Sequence, residues 1–301
     1  MNGDEYLAEL RGTLTGVVDT LTRDGIEARH LAFGGAGQPA ARKPTVPTDA
    51  RSEFLANRAM GDWAERTLAA ALSATFPEWT VAQYGNTDRI AAGHPEFKAR
   101  YLAGIEETRL YGKRPDLLLF PASLGVAAEL SERTHDETES HTKQAAAAIE
   151  VRSSKFEALR YMAVRRKQRE AGAKSARETP SFTVKVEDLV IVYRWLDRHR
   201  VPQSYCQVFF DSVFAINFLD IFRVIASGDD YDIEKPEKSQ EKATIMIPIT
   251  RGVQIGRATA MPTFRAEHRV TNLGRHDAYV VPEGGALELD AAAMRAVLLA
   301  E

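Results

Sequence analysis

The stretch Ile149–Phe156, IEVRSSKF, follows QAAAA and sets a carboxylate, Glu150, inside an apolar run. With side chains alternating at period two, Glu150 and Arg152 face one side of a strand while Ile149 and Val151 face the other. An acid on a buried strand needs a cationic partner or a metal. A salt-bridged strand end and a metal centre both meet that need, so neighbouring segments must decide between them.

A second acid stands 34 residues earlier, where Asp116 opens the apolar run of GKRPDLLLF. There its carboxylate can project from a sheet end while the leucines pack. Two carboxylates on adjacent strand ends, with a basic residue beside them, can hold magnesium and polarise a water against a phosphodiester. Glu65 sits four residues after Gly61 on a long helix expected from about Ser52 to Phe76. That spacing puts the two on one helix face, where an ordinary solvated glutamate is the plain reading of Glu65.

The charge is unevenly spread. Across 301 residues the net charge is −3, yet Lys155 to Arg177 holds eight basic residues against two acids. The basic set is Lys155, Arg160, Arg165, Arg166, Lys167, Arg169, Lys174 and Arg177. So lopsided a block is either a solvated helix face or the footprint of a polyanion.

The wider pattern predicts an α/β fold. Leu7, Leu10, Leu14, Val17, Val18 and Leu21 recur at helical spacing before Gly25, so an opening helix is expected, followed by a loop through AFGGAGQPAARKPTVPT. WTVAQYG, DLLLF, AAIEVRS, SFTVKV and SYCQVFF have the make-up of short strands; KFEALRYMAVRRKQREAG, VEDLVIVYRWLDRHR and VFAINFLDIFRVIAS have that of helices. A mixed central sheet flanked by helices follows, with a β-rich C-terminal portion (TIMIPIT, GVQIGR, DAYVVPEGG) ending in a short helix. The expected division is an N-terminal helix and linker over 1–50, a core over 51–227, and a charged loop with the β-rich portion over 228–301.

Other chemistries fit poorly. The single cysteine, Cys206, can form neither an internal disulfide nor a cysteine-rich zinc site. His135, His141 and His199 lack zinc-ligand spacing, and AFGGAGQPA lacks the lysine and helix of a nucleotide loop. The opening MNGDEYLAELRG has no signal-peptide layout, and SVFAINFLDIF is broken by Asn217 and Asp220 short of bilayer length. A cytoplasmic location is therefore expected, with no membrane partner.

Pro115, Asp116, Glu150 and Arg152 occupy the positions of the nuclease pattern PD…(D/E)xK. Taken with SFTVKVEDL, WLDRHRVPQSYCQVFFDSVFAINF, EVRSS and GKRPDLLLF, the chain resembles the AccI-type family of type II restriction endonucleases over roughly Asn57 to Ser227. The resemblance implies a restriction-endonuclease-like fold and magnesium-dependent, sequence-specific cleavage of double-stranded DNA. It also implies a homodimer and a companion DNA methyltransferase acting on the same site. On that footing Asp116, Glu150 and Glu65 are the expected magnesium ligands. Arg160, Arg165, Arg166, Lys167, Arg169, Lys174, Arg194 and Arg198 are the expected DNA contacts. A structure-specific repair nuclease and a DNA-binding protein without catalysis remain the alternatives.

Arginine at 152 departs from the lysine of the general pattern. A guanidinium is permanently charged and can stabilise a transition state, but it cannot readily take a proton from water. A lysine from elsewhere is expected to help, with Lys185, on an apparent neighbouring strand, preferred to Lys155. For Lys185 an edge-strand charge is the plain alternative.

Overall fold

A computed structural model describes residues 1–33, 52–85, 94–173, 177–236, 242–271 and 274–298. Its centre is a seven-stranded mixed sheet in the order β1 (Trp79–Gln83), β2 (Leu117–Pro121), β3 (Ala147–Ser153), β5 (Gln203–Val208), β6 (Ser212–Asn217), β9 (Val253–Ala260) and β12 (Ala286–Leu289). Only β3 and β5 pair in parallel; the other neighbours run antiparallel. A smaller sheet, β4 (Ser181–Lys185), β8 (Thr244–Pro248) and β7 (Asp232–Glu234), and a ribbon of β10 (Thr263–Val270) with β11 (His276–Glu283) complete the strands.

The period-two alternation of β3 sorts the two cores. Ile149 and Val151 pack in one cluster with Trp63, Ala64, Leu68 and Leu72 of α2 (Ser52–Thr75). Ala148, on the opposite face, packs in the other cluster with Leu189, Val192 and Trp195 of α6 (Val186–His199). Glu150 and Arg152 share the Ala148 face by the same alternation. The carboxylate of the opening stretch therefore looks toward α6.

The opening helix α1 (Gly3–Arg23) forms as expected and stops at Gly25, whose φ of 84° suits a residue without a Cβ. It packs against α7 (Phe218–Ser227), and the Tyr6 hydroxyl donates to Asn217 Oδ1 at 2.8 Å. The loop expected after it lies outside the described residues from position 34 onward. Two further helices, α3 (Phe97–Tyr111) and α4 (His135–Thr142), occupy segments where the apolar pattern predicts none. Helix α5 (Ala158–Glu170) carries the basic block.

One expected helix is split. VFAINFLDIFRVIAS forms strand β6 through Asn217 and helix α7 only from Phe218. Val213 to Asn217 pair with β5 across a tight turn, and the Asn217 side chain caps α7 by accepting the Leu219 N–H at 2.9 Å. In the C-terminal part β9 and β12 extend the main sheet, and α8 (Ala291–Leu298) covers it, with Ser204 and Asn217 both donating to the Val297 carbonyl at 3.2 Å. Residues of the 1–50, 51–227 and 228–301 segments thus meet in one hydrophobic cluster, and those of the last two also share the other. Among the described residues no helix is long and apolar enough to cross a membrane.

Candidate active site

Strands β2 and β3 pair from Leu117 against Ile149 to Leu119 against Ala147, a register that would next set Asp116 opposite Glu150. The ladder ends there. Asp116 Oδ2 instead accepts the backbone N–H of Val151 at 2.6 Å, so the two acids stand side by side at the strand ends. The Asp116 carbonyl meanwhile accepts the N–H groups of Tyr84 and Gly85 at 2.9 and 3.1 Å, which fixes its backbone against the end of β1.

Glu150 is buried, and two cations reach it. Lys113 Nζ pairs with Glu150 Oε1, and Arg152 Nη2 lies 3.2 Å from the same oxygen. Arg152 is bound more closely to Asp188, at 2.7 Å, and its guanidinium lies over the Tyr205 ring at 5.9 Å. Removing one partner from a buried pair of this kind costs about 3–5 kcal/mol, because the other charge is stranded. Each member therefore holds the next in place.

The remaining electrostatics report a shortage of positive charge. Burial, and then the charges of Asp116, Asp62 and Glu150, push the Glu65 carboxyl up to about 8 against the opposing pull of Lys113. Burial, and then Glu150, push Asp116 up to about 7, opposed by Lys113 and Arg152. Asp188 goes the other way: burial would raise it, but Lys113, Arg152 and Lys185 outweigh burial and hold it below the usual carboxylate range. Burial disfavours the charged guanidinium of Arg152, yet Glu150 and Asp188 keep it firmly protonated. Glu65, Asp116, Glu150 and Asp188 outnumber Lys113 and Arg152 by two charges when all are ionised. Among the described residues Glu150 Oε2, a buried acceptor, has no hydrogen-bond partner. An orphaned buried carboxylate oxygen amid surplus negative charge fits a divalent oxygen-seeking cation.

The sequence expectation thus finds Asp116, Glu150 and Arg152 together, with Glu65 close enough for its carboxyl to feel the two strand acids. Lys185 is different. It ends β4, in the three-stranded sheet rather than beside β3, because Phe182 and Val184 turn into the core and pair that strand with β8. Its side chain is about half exposed and its ion pair is with Glu187 at 3.9 Å. Lys155 is exposed, in a bend ahead of α5. Lys113 and Asp188, absent from the sequence expectation, occupy the site instead; the signal for Lys113 was its place three residues before Asp116 in GKRPD.

The expected DNA contacts fall into two groups. Arg160, Arg165, Arg166, Lys167 and Arg169 lie on α5, a helix whose one buried residue is Ala158. Asp211 caps it, accepting the N–H groups of Leu159 and Arg160 at 2.9 and 3.2 Å. Arg160 pairs with Glu157 at 3.3 Å and Arg169 with Glu178 at 2.8 Å. Beyond Arg165 the helix is exposed on every side. Arg194 and Arg198 lie on α6: Arg194, half-buried, donates to the Arg109 carbonyl at 2.5 Å, and Arg198, exposed, pairs with Glu139 at 3.0 Å while lying over the Tyr111 ring. Lys174 lies outside the described residues.

A second cluster of possible metal ligands, His135, Asp136 and Glu139, brings its ligand atoms within 4.8 Å of one another. Its surroundings oppose a cation. Glu139 already pairs with Lys143 at 3.2 Å and Arg198 at 3.0 Å. The charge deficit at Glu150 has no counterpart there.

The sequence model described as AccI restriction endonuclease matches residues 26–180 and 164–301. No curated protein and no solved structure matches the chain.

Proposed function

The chain belongs to the AccI restriction endonuclease family, and from that premise we propose that it is a type II enzyme that hydrolyses double-stranded DNA at a specific sequence with magnesium. The observation that carries this reading is Glu150 Oε2, buried and without a hydrogen-bond partner among the described residues, beside an Asp116 carboxyl pushed up to about 7. Asp116, Glu150 and Glu65 would hold the cation. When bound, magnesium supplies positive charge against the phosphate and lowers the pKa of a coordinated water.

The chain's own residues do the rest. The Val151 N–H fixes the orientation of Asp116, and Lys113 and Arg152 both hold Glu150 by its Oε1, so the acids meet a substrate without rearranging. Helix α5 leaves the β3 end of the sheet with a basic, solvent-exposed shaft suited to phosphate contacts. A palindromic duplex is most simply cut by a two-fold dimer with one site per strand, so the working form is a homodimer. A companion methyltransferase would protect the same sequence in the host.

Supercoiled plasmid incubated with the protein and magnesium tests the reading. Discrete fragments with common ends are expected. Nicking at branched structures would make it a repair nuclease, and a gel shift without cleavage would make it a binding protein.

A further inference from the structure

Resting on the nuclease reading above, we propose that Lys113 is the basic catalytic residue of the reaction and that Arg152, committed to Asp188, is a positioning residue that holds Glu150. Of the basic groups near the strand acids, Lys113 and Arg152 touch Glu150. The Arg152 group that reaches Glu150 is the one bound to Asp188 at 2.7 Å, and Asp188 is buried in the first turn of α6. Turning that guanidinium toward a phosphate would strand Asp188 without its ion pair. Among the described residues Glu150 is the one carboxylate that Lys113 pairs with, and the Lys113 side chain is 26% exposed, so it is fixed on Glu150 at the border of the solvent.

The backbone around Lys113 is built to hold it there. Gly112 has a φ of 89°, and a Cβ at that position would collide with the backbone of Ile191 and Trp195. Only glycine fits so close an approach. The Lys113 N–H donates to the Ile191 carbonyl at 2.9 Å, and Arg114 Nε donates to Glu107 at 2.5 Å while its Nη1 donates to the Arg133 carbonyl at 3.0 Å. Gly112 and Lys113 are therefore held on α6 and Arg114 on α3 and the Arg133 carbonyl, so the segment delivers Lys113 and Asp116 to the site together. The same helix supplies Asp188 to Arg152.

In the step itself the water oxygen forms a bond to phosphorus as the bond from phosphorus to the departing sugar oxygen breaks. The water's proton passes to solvent and the sugar oxygen takes one from solvent. Lys113 keeps its proton throughout, donating hydrogen bonds to the attacking water and to the phosphate oxygens as they gain charge.

The single cysteine makes a direct test possible. Cys206 is fully buried and burial pushes its thiol up to about 12, so a thiol placed at 113 is the reactive one. Lys113→Cys should lose at least ~100-fold in single-turnover cleavage, with DNA binding unchanged and calorimetric binding of Mn2+ alone unchanged or tighter, since a cation has left Glu150. Aminoethylation of the new thiol, which rebuilds an ammonium of nearly lysine length, should restore most of the rate. Arg152→Lys, which keeps a cation on Asp188, should still cut, and Asp188→Asn should lower cleavage only in step with weaker Mn2+ binding. Parental cleavage by Lys113→Cys, loss of Mn2+ binding along with cleavage, or failure of aminoethylation to rescue would overturn the proposal. So would an Asp188→Asn variant as inactive as Lys113→Cys with Mn2+ binding intact. A parent protein that leaves every DNA uncut with magnesium would instead bring down the nuclease reading itself, and this proposal with it.

Discussion

The Asp116 carboxylate accepts the Val151 N–H at 2.6 Å, across the gap where β2 and β3 stop pairing. That bond fixes an acid beside another acid, which a purely structural strand end would avoid. Asp116→Asn can keep the bond through its amide oxygen while losing the charge. The variant should be folded, at least as stable as the parent without metal at neutral pH, and inactive on DNA. Asp116→Ala leaves a backbone donor unmet and should cost about 1–3 kcal/mol of stability. Thermal unfolding of both variants, run beside a cleavage assay, checks the pair of outcomes.

Glu65 at about 8 and Asp116 at about 7 give the metal-free protein a pH dependence of definite sign. Both carboxyls release their protons near pH 4 when unfolded but hold them to about 7 or 8 when folded. Between those limits the folded state binds more protons, so its stability from these groups is complete below the unfolded pKa and is lost as pH rises through the folded values. Melting temperatures measured without metal should fall from about pH 5 to 8. Magnesium should remove most of that fall in the parent and none of it in Glu150→Gln.

His199 sets the opposite limb. It is buried with its Nε2 3.2 Å from that of His135, and burial, then His135, push it down to about 3. Once unfolded it takes up a proton near pH 6.5. Stability is therefore whole above that pH and declines as pH falls toward 3, by up to about 1.4 kcal/mol per pH unit from this group. His199→Gln should flatten that acid limb while leaving the alkaline limb from Glu65 and Asp116 in place. An unchanged acid limb would remove His199 from the account.

Arg166 and Lys167 lie on the exposed shaft of α5, and charge reversal there should weaken DNA binding across all sequences. Taking away one cation that neutralises a phosphate should reduce the salt slope of log K by about one. Titrations of one duplex at several salt concentrations, with Arg166→Glu and Lys167→Glu beside the parent, give both quantities. Arg198→Glu, whose parent residue pairs with Glu139, should disturb stability more than DNA affinity.

The two acids at the strand ends were legible in the sequence because each interrupts an apolar pattern: Glu150 breaks an apolar strand and Asp116 opens a run of leucines. Lys113 was marked only by its place three residues before Asp116, since a lysine after a glycine resembles any solvated charge until the approach of its backbone to α6 places it. Asp188 sits one turn into a helix, where an acid is ordinary capping chemistry, and only the tertiary approach of Arg152 gives it a role. The β6–α7 boundary was hidden because VFAINFLDIF is apolar except at Asn217 and Asp220, and periodicity alone does not separate a buried strand from a buried helix. Lys185 was misplaced for a related reason. Alternation shows that a segment is a strand, but it does not say which sheet the strand joins.

The most direct measurement is cleavage of a long DNA of known sequence by the parent and by Glu150→Gln, with and without magnesium, with DNA binding followed in parallel. The parent is predicted to give one reproducible set of fragments that requires magnesium, and Glu150→Gln to bind the same DNA and leave it whole. Fragments produced without a divalent cation, or by Glu150→Gln at the parental rate, would contradict the assignment of this carboxylate cluster as the catalytic centre.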